Sequence, residues 1–419
     1  MRIAYLAQSY PPMVSGAAIA AEQLANNMAM RGHQVLVIAA SDKDQPYITV
    51  QENIQVLRLK SMYNPMRVGQ RFLLFPRYPV KRALEEFQPD LIHCHEPLQI
   101  GLLGLAYARR AQVPSSLTVH QLPWFVAAYL PSFLRTAVEK SLWSYARWLL
   151  KRFTSIIAPT KSISTLIHQM TGLEAKTIGY GLDLNVFHPP FSMDMTIEIR
   201  QKWDLPAHVP LMLHVGRLDT EKHVDHVILA AALAMQHTDA HLLIVGDGRQ
   251  KQHLMKICRD LNMEGRVHFT GYVSVQQGLP ELYRIACMFV TASEIETQGI
   301  VLLEAAASGL PLVAVDATCI PEIVYDGANG YLTKAGDAYA MGQSMIRILS
   351  DPWLAGSMGR VSRTLAAGHP KQATFDEHER MYQQMITEYG TKSTSARQSA
   401  HLQWKQFKKR LIWAFTGWF

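Results

Sequence analysis

The chain has 419 residues, enough for two domains with sizeable cores, and its 48% apolar and 18% charged residues are typical of a folded globular protein. The net charge of +7 is uneven, with +8 over residues 1–190, −7 over 191–390 and +6 over 391–419, which indicates an anionic partner, either nucleic acid or a lipid surface. The four cysteines form no C-x-x-C pair, which argues against a zinc site or disulfide framework and for a reducing compartment. No apolar run reaches the length of about 18 residues that a membrane span needs.

The chain begins with the pattern of a doubly wound parallel sheet. Residues 3–7 are predicted to form a strand rather than a secretion signal, and a helix over 17–30 and a second strand over 35–40 follow. The turn between the first strand and the helix carries Gly16. A glycine at this place lets the backbone approach a ligand, although turn geometry alone also explains it.

Two pairs of potential metal ligands occur in the first half. Asp42 and Asp44 resemble a magnesium-binding pair, but they lie in a polar loop just before a proline. His93 and His95 form a His-x-His pair with no third ligand nearby, and His93 is predicted to lie on the buried side of a strand. The sequence therefore predicts no metal site.

His120 stands at the end of a predicted strand over residues 116–119. Ligands of parallel α/β sheets gather at the carboxyl ends of the strands, so His120 is a candidate site residue. The alternative is an ordinary hydrogen-bonded loop histidine.

Two segments of the first half combine cations with aromatic rings. Residues 67–82 contain Arg67, Arg71, Arg77, Lys81 and Arg82 among Phe72, Leu73, Leu74 and Phe75. Residues 123–153 interleave Trp124, Phe125, Tyr129, Phe133, Trp143, Tyr145 and Trp148 with Arg135, Lys140, Arg147, Lys151 and Arg152. Some of these rings must belong to the core, and the rest have the pattern of a membrane-facing surface.

The second half repeats the strand-and-loop pattern. A strand over residues 211–215 leads to Arg217 and Lys222, whose charges suit phosphate oxygens, with surface pairing to Asp219 or Glu221 as the alternative. Strands over 241–245 and 267–270 are followed by Gly246 and by the pair Tyr272 and Val273, respectively.

The most informative stretch runs from residue 291 to residue 309. A predicted strand over 285–290 leads through a polar loop with Glu296, Gln298 and Gly299 into a helix over 300–307 that carries Glu304. The N-terminus of this helix offers free N–H groups and about half a positive charge to an anion. Glu296 and Glu304 are too far apart for one helix face, so they are expected to contact two parts of one elongated ligand. Alternatively, Glu296 is a solvated loop residue and Glu304 stabilises the helix dipole.

This Glu-x7-Glu stretch resembles the donor site of the retaining glycosyltransferases of family 4, and the resemblance covers nearly the whole chain. It implies an α/β fold of the GT-B type, with two doubly wound Rossmann-like domains facing a cleft. Domains are expected at 1–190 and 191–375, with crossover helices and a basic amphipathic tail over 376–419. Departures from the family pattern are Ser15, His223 and Thr318-Cys319, each at a position where the family usually has glycine.

The resemblance also implies the residue roles. Glu296 and His120 would contact the sugar, Glu304 the ribose, and the loop amides from Gln298 to Val301, Ile300 included, the diphosphate and sugar. Arg217 and Lys222 would neutralise the diphosphate without a metal, Gly246, Tyr272 and Val273 would line the nucleotide, and Gly16 would lie near the donor phosphates or the acceptor. No cofactor is expected beyond the donor substrate itself.

Gln298 replaces a phenylalanine found in many relatives, which makes the chain most similar to diacylglycerol glucosyltransferases and related glycolipid synthases. The expected reaction is transfer of a hexosyl group, with glucose favoured, from a nucleotide diphosphate sugar to a lipid such as diacylglycerol. Alternatives are a mannosyl- or glucosyltransferase acting on phosphatidylinositol, on a polyprenyl-linked saccharide or on a soluble saccharide, and a sugar-nucleotide epimerase. A nucleic-acid-binding protein would explain the charge but not two carboxylates at a cleft.

The tail is predicted to be amphipathic. Trp404, Phe407, Leu411, Ala414 or Phe415, and Trp418 recur at three- and four-residue steps, with Lys405, Lys408 and Lys409 on another face. A cytoplasmic protein bound peripherally to the membrane is therefore expected, with packing of the tail on the first domain as the alternative.

Overall fold

The computed structural model describes residues 1–13, 15–64, 71–97, 99–120, 122–123, 132–187 and 193–389. Residues 67–70, Trp124, Phe125, Tyr129 and the tail pattern over 404–418 lie outside this part of the chain. The chain divides into two compact units, residues 1–179 with the chain from Ala373 onward, and Tyr180–Gln372.

Unit one contains ten strands and six helices among its described residues. The strands are β1 Arg2–Leu6, β2 Gln34–Ala40, β3 Tyr47–Gln51, β4 Ile54–Leu59, β5 Ser61–Tyr63, β6 Arg71–Leu73, β7 Leu91–Cys94, β8 Ser115–Thr118, β9 Ser155–Ala158 and β10 Lys176–Thr177. The first five helices are α1 Gly16–Met30, α2 Arg77–Phe87, α3 Gln99–Ala111, α4 Ser132–Leu150 and α5 Lys161–Thr171. The sixth, which we number α14, is Lys371–Glu388; it begins in the second unit, so the chain returns to the first unit within it.

The main sheet of unit one has the order β10-β9-β8-β7-β1-β2-β4-β3 and is parallel except for β3. Buried side chains of α2, α3, α4 and α5 form a core on one face of this sheet, and those of α1 and α14 form a core on the other. Helices on both faces explain why the central strands are continuously apolar. Strands β5 and β6 form a separate antiparallel hairpin.

The described residues of unit two contain six strands, β11 Leu211–Val215, β12 His241–Val245, β13 Val267–Gly271, β14 Met288–Thr291, β15 Leu312–Val315 and β16 Gly330–Thr333. They form one parallel sheet in the order β13-β12-β11-β14-β15-β16. Its helices are α6 Leu184–Phe187, α7 Met193–Lys202, α8 Val224–His237, α9 Lys251–Asp260, α10 Leu279–Ile285, α11 Ile300–Ala307, α12 Ala338–Ser350 and α13 Pro352–Ala366.

The predicted strands agree with the structure within about two residues, with one correction. The apolar run predicted as a strand over 285–290 begins inside α10, which ends at Ile285, and β14 starts only at Met288. Ile285 is buried with Leu282 and Tyr283 of the same helix, so its apolar character comes from helix packing. After β15 the chain forms a single 3₁₀ turn, Ile320–Glu322. No helix in the described part of the chain is long and apolar enough to cross a bilayer.

Candidate functional site

The N-terminus of α11 is open for an anion. Gly299, at φ 69°, precedes the helix, and its carbonyl accepts the N–H groups of Leu302 at 2.9 Å and Leu303 at 3.2 Å. No acceptor among the described residues takes the N–H groups of Ile300 and Val301. Two donors and the helix dipole therefore converge at the loop between β14 and α11, as the sequence predicts.

Glu296 and Lys222 lie together beside this loop. The Lys222 ammonium is 2.5 Å from Glu296 Oε1 and 3.3 Å from the Ser293 hydroxyl, and both charged side chains are largely buried, at 15% and 16% exposure. The Glu296 N–H donates to the Thr318 hydroxyl at 3.3 Å. The predicted sugar-binding carboxylate and the predicted phosphate-binding cation thus form one charge pair.

Glu304 lies one turn into α11, where its carboxylate accepts the Tyr283 hydroxyl at 2.8 Å. Burial raises the pKa of Glu304 to about 7, and the hydrogen bond from Tyr283 opposes this only partly. Burial, together with the charge of Glu304, also raises the pKa of Tyr272. The structure therefore brings Tyr272 and Glu304 into one electrostatic environment, while the Val273 side chain is buried.

Arg217 is occupied by carboxylates. It forms ion pairs of 2.5 Å with Asp219 and with Glu221, whose side chains are 11% and 2% exposed. These are the two acids named as alternative partners in the sequence, and a phosphate would share the guanidinium with them.

Gln298 has a structural role that the sequence did not reveal. Its amide accepts the Tyr180 N–H and donates to the Tyr180 carbonyl, both at 2.7 Å, and the side chain is buried. This pair of bonds fixes the loop before α11 to the first residue of unit two. Because both ends of the side-chain amide are used, Gln298 would contact a substrate only through its main chain.

Gly246 also has a packing reason. A Cβ at this position would lie 1.8 Å from the Gly216 carbonyl oxygen, because the loops after β11 and β12 touch there. The Gly246 N–H donates to the Gly271 carbonyl at 2.8 Å. Only glycine permits this approach, whatever ligand binds nearby.

The departures from the family glycines fall into two groups. His223 and Thr318 have φ values of 46° and 48°, the left-handed region that glycine adopts without strain. Ser15 is extended instead, and its hydroxyl caps α1 by accepting the Ala18 N–H, which leaves Gly16 exposed in the first helical turn. His223 and Thr318 therefore adopt the left-handed backbone conformation without being glycine, which lowers the stability of the fold.

In unit one, His120 belongs to a buried row of histidines at the carboxyl edge of the sheet. Its Nε2 lies 2.9 Å from His95 Nδ1, and the rings of His95 and His93 stack at 4.4 Å. His93 is fully buried as predicted and bonds to Thr118 and Tyr382. Burial lowers the pKa of His120 to about 3 and the pKa values of His93 and His95 well below 6.5. All three rings are therefore neutral at physiological pH.

Glu96 is a residue that sequence reasoning missed. Its carboxylate accepts the N–H groups of Gln8 at 2.8 Å and Ser9 at 3.0 Å, which fixes the loop after β1. Burial raises its pKa to about 7, although the two bonds lower it. Its only sequence signal was a carboxylate following a strand end.

The aspartates weighed as metal ligands have protein partners. Asp42 accepts the Tyr47 hydroxyl, and Asp44 pairs with Arg71. In the described residues, one group of side chains, His223, Asp225 and His226, lies close enough together to hold a metal ion. It lies at the N-terminus of α8, where the helix dipole repels a cation.

Comparison with known proteins identifies two family domains. Residues 14–186 match the family described as Glycosyltransferase Family 4, and residues 195–364 match Glycosyl transferases group 1. An alpha-monoglucosyldiacylglycerol synthase of Streptococcus pneumoniae is 27% identical over 79% of this chain and 75% of its own length. A GDP-mannose-dependent alpha-mannosyltransferase of Mycobacterium tuberculosis is 32% identical over 80% of this chain and 85% of its own.

A solved structure shares the fold. Anabaena HepE in complex with UDP and glucose superposes with a TM-score of 0.73 at 20% identity, covering 92% of this chain and 100% of that one.

Proposed function

Because this chain belongs to the GT-B glycosyltransferases with a family 4 and a group 1 domain, we propose that it is a retaining enzyme that transfers a hexosyl group from a nucleotide diphosphate sugar to a lipid acceptor such as diacylglycerol. The observation that carries the donor assignment is the loop before α11. There, two unused N–H groups, a lysine and two carboxylates surround one helix N-terminus.

Each group has a part in the proposed reaction. The N–H groups of Ile300 and Val301 bind the diphosphate, and Lys222 stabilises the charge that grows on it as the bond to the sugar breaks. Glu296 then contacts the sugar hydroxyls, and Glu304 accepts hydrogen bonds from the ribose. Arg217 joins the diphosphate through the N–H donors that its two carboxylates do not use.

In the proposed reaction, retention needs no covalent nucleophile. Glu296 is paired with Lys222 and is assigned to the sugar hydroxyls, so in this proposal the acceptor hydroxyl attacks the face from which the diphosphate departs. A diphosphate oxygen takes the acceptor proton. His120, a neutral imidazole, contributes a hydrogen bond to the sugar rather than a charge.

A lipid acceptor is supported by exposed apolar side chains at the carboxyl edge of the unit-one sheet. We define the hairpin patch as Met62, Tyr63, Phe72, Phe75 and Tyr78, which are 40–89% exposed. Gln8, after β1, donates to the Arg71 carbonyl of this hairpin at 2.7 Å, so the patch shares the strand edge that carries His120. Rings with neighbouring cations suit a membrane interface, which supports peripheral binding.

Mannosyl transfer is a second candidate function, because a GDP-mannose-dependent relative is 32% identical. HepE holds UDP and glucose, which supports a uridine donor instead. The deciding experiment offers labelled UDP-glucose, UDP-galactose and GDP-mannose to diacylglycerol, phosphatidylinositol and a total lipid extract. We expect an α-glucosyl lipid from UDP-glucose and diacylglycerol, and mild alkali should release its acyl chains and leave glucosylglycerol.

If product forms only from GDP-mannose, the protein is a mannosyltransferase and the proposed glucosyl transfer is wrong. If no lipid accepts a sugar, the proposed lipid acceptor is wrong. The same assay in a chelator tests the metal-free mechanism. Loss of activity that magnesium restores would contradict the roles given to Lys222 and Arg217.

A further inference from the structure

A second basic feature lies outside the site described above. Arg109, Arg147, Trp148, Lys151 and Arg152 line an open pocket of about 530 Å³ at the ends of α3 and α4, together with Ser144. This volume is within the range of small-ligand sites. Four cations and no acid contribute to the lining, so the pocket is strongly positive.

The cations of this pocket are not neutralised by the protein. In the part of the chain that the structure describes, Arg109, Arg147 and Lys151 form no ion pair with a carboxylate, and all three are exposed. Arg152 donates to the Trp148 carbonyl and lies 4.0 Å from the centre of the Trp148 ring. The charge is therefore available to a ligand.

The position of the pocket separates it from the reaction. Helix α3 connects β7 to β8 and α4 precedes β9, and these strands are parallel. A helix that joins parallel strands runs back along the sheet, so its C-terminus lies at the amino ends of the strands. His120 and the hairpin patch lie at the carboxyl ends, so the pocket occupies the opposite edge.

We infer that this pocket binds the phosphate headgroup of an anionic membrane phospholipid, as a site distinct from that of the sugar acceptor. Arginine and lysine supply the donors that a phosphate needs. Trp148, 47% exposed and stacked on Tyr145 at 5.8 Å, supplies a ring of the kind that lies at headgroup depth. The inference rests on the proposed function only in taking a membrane as the source of the phosphate.

The test compares two double variants of the full chain with equal charge loss. Arg147→Gln/Lys151→Gln removes two pocket cations, and Lys256→Gln/Arg259→Gln removes two exposed cations of α9 in unit two. Binding is measured by co-sedimentation with phosphatidylcholine vesicles, with and without phosphatidylglycerol, in the absence of donor and acceptor. Thermal unfolding checks that both variants fold.

We expect the pocket variant to bind phosphatidylglycerol vesicles about twenty-five-fold more weakly than wild type, since each cation near an anionic leaflet contributes about a factor of five. The control variant should bind as wild type does. An equal loss of vesicle binding in both variants would show that only the net charge of the protein matters. Unchanged vesicle binding in both would show that the pocket cations only stabilise the C-termini of their helices.

Calorimetry with soluble glycerol phosphate separates the two sources of a phosphate. Binding of glycerol phosphate without any binding to vesicles would overturn the lipid assignment. If wild type binds the vesicles through the pocket but transfers no sugar to diacylglycerol, the proposed acceptor fails and the pocket stands.

Discussion

Glu304 gives the donor site a pH dependence near neutrality. Its pKa is raised from 4.5 to about 7 by burial, so the carboxylate form exists mainly above pH 7. Ribose hydroxyls donate to a carboxylate more strongly than to a carboxylic acid. We therefore expect the affinity for UDP-glucose, whose diphosphate diester does not titrate in this range, to fall as the pH drops from 8 to 6, and to lose this dependence in Glu304→Gln. Isothermal titration at several pH values measures it; equal slopes for both proteins would remove Glu304 from the nucleotide site.

The same pKa shift predicts a change in stability. Between pH 4.5 and 7 the folded protein keeps a proton on Glu304 that the unfolded chain has lost. The stabilisation of the fold by this proton is complete below pH 4.5 and is lost as the pH rises through 7. The advantage of Glu304→Gln over wild type should therefore grow across this window, up to about 3 kcal/mol. Denaturant unfolding at pH 5 and pH 8 checks it, and a difference independent of pH would contradict it.

Glu296 should act on turnover more than on donor binding. Contacts to the sugar that tighten in the transition state appear in kcat, so Glu296→Gln is expected to lower kcat by roughly a hundredfold with a smaller change in KM. Glu294→Gln is the matched control, because that carboxylate, 39% exposed, faces His223 rather than Lys222. Similar kinetics for the two variants would show that Glu296 has no special role.

His223 shows how a residue departs from a pattern at a cost. A histidine at φ 46° is strained by about 1 kcal/mol relative to glycine, so His223→Gly should raise the free energy of unfolding of its unit by that amount. Gln88→Gly, at φ 49° after α2, is a control for the same relief in unit one. A lower stability of His223→Gly in urea unfolding would show that the contacts of His223 with His226 and Glu294 outweigh the strain.

At the level of elements, the loop before α11 depends on Gly299. A Cβ there would lie 3.1 Å from Leu302 Cδ1 and 3.3 Å from Ile323 Cδ1, in addition to the strain of φ 69°. Gly299→Ala should therefore displace the helix N-terminus and weaken UDP binding by roughly tenfold or more. Gly336→Ala, with φ 82° and no atom within 4 Å of the added Cβ, has the strain without the crowding. Equal UDP affinities for both variants would show that the N-terminus of α11 does not bind the diphosphate.

The sequence predicted the elements that carry this site because their signals are local. The apolar run of β11 and the glycine before α11 lie next to the residues they position, and both elements match the structure residue for residue. The roles of Gln298 and Arg217 were not accessible in this way. Gln298 bonds to a residue 118 positions away, and the sequence does not show that Arg217 pairs with Asp219 and Glu221 together.

At the scale of the whole molecule, the two α/β units were expected from the repeated strand-and-loop pattern, and the parallel sheets confirm the fold class. The sequence did not predict the hairpin of β5 and β6, because its aromatic side chains are equally compatible with a core and with a surface. Only the structure shows that Leu73 is buried while Phe72 and Phe75 are exposed. Alternation in a three-residue strand is too short a signal to decide this from sequence.

The hairpin patch leads to a prediction about the membrane. If it docks the protein on lipid, Phe75→Ser/Tyr78→Ser should weaken binding to phosphatidylcholine vesicles containing phosphatidylglycerol by about tenfold or more, because two rings that are 89% and 71% exposed lose their apolar contact with lipid. Tyr325→Ser/Tyr339→Ser, which removes two exposed rings of unit two, is the control. A chain ending near residue 395 tests the predicted amphipathic tail in the same sedimentation assay. If the hairpin variant binds as wild type and the shortened chain does not, the tail rather than the hairpin patch contributes to membrane binding. If all variants sediment like wild type, neither surface is the membrane contact, and the case for a lipid acceptor loses its structural support.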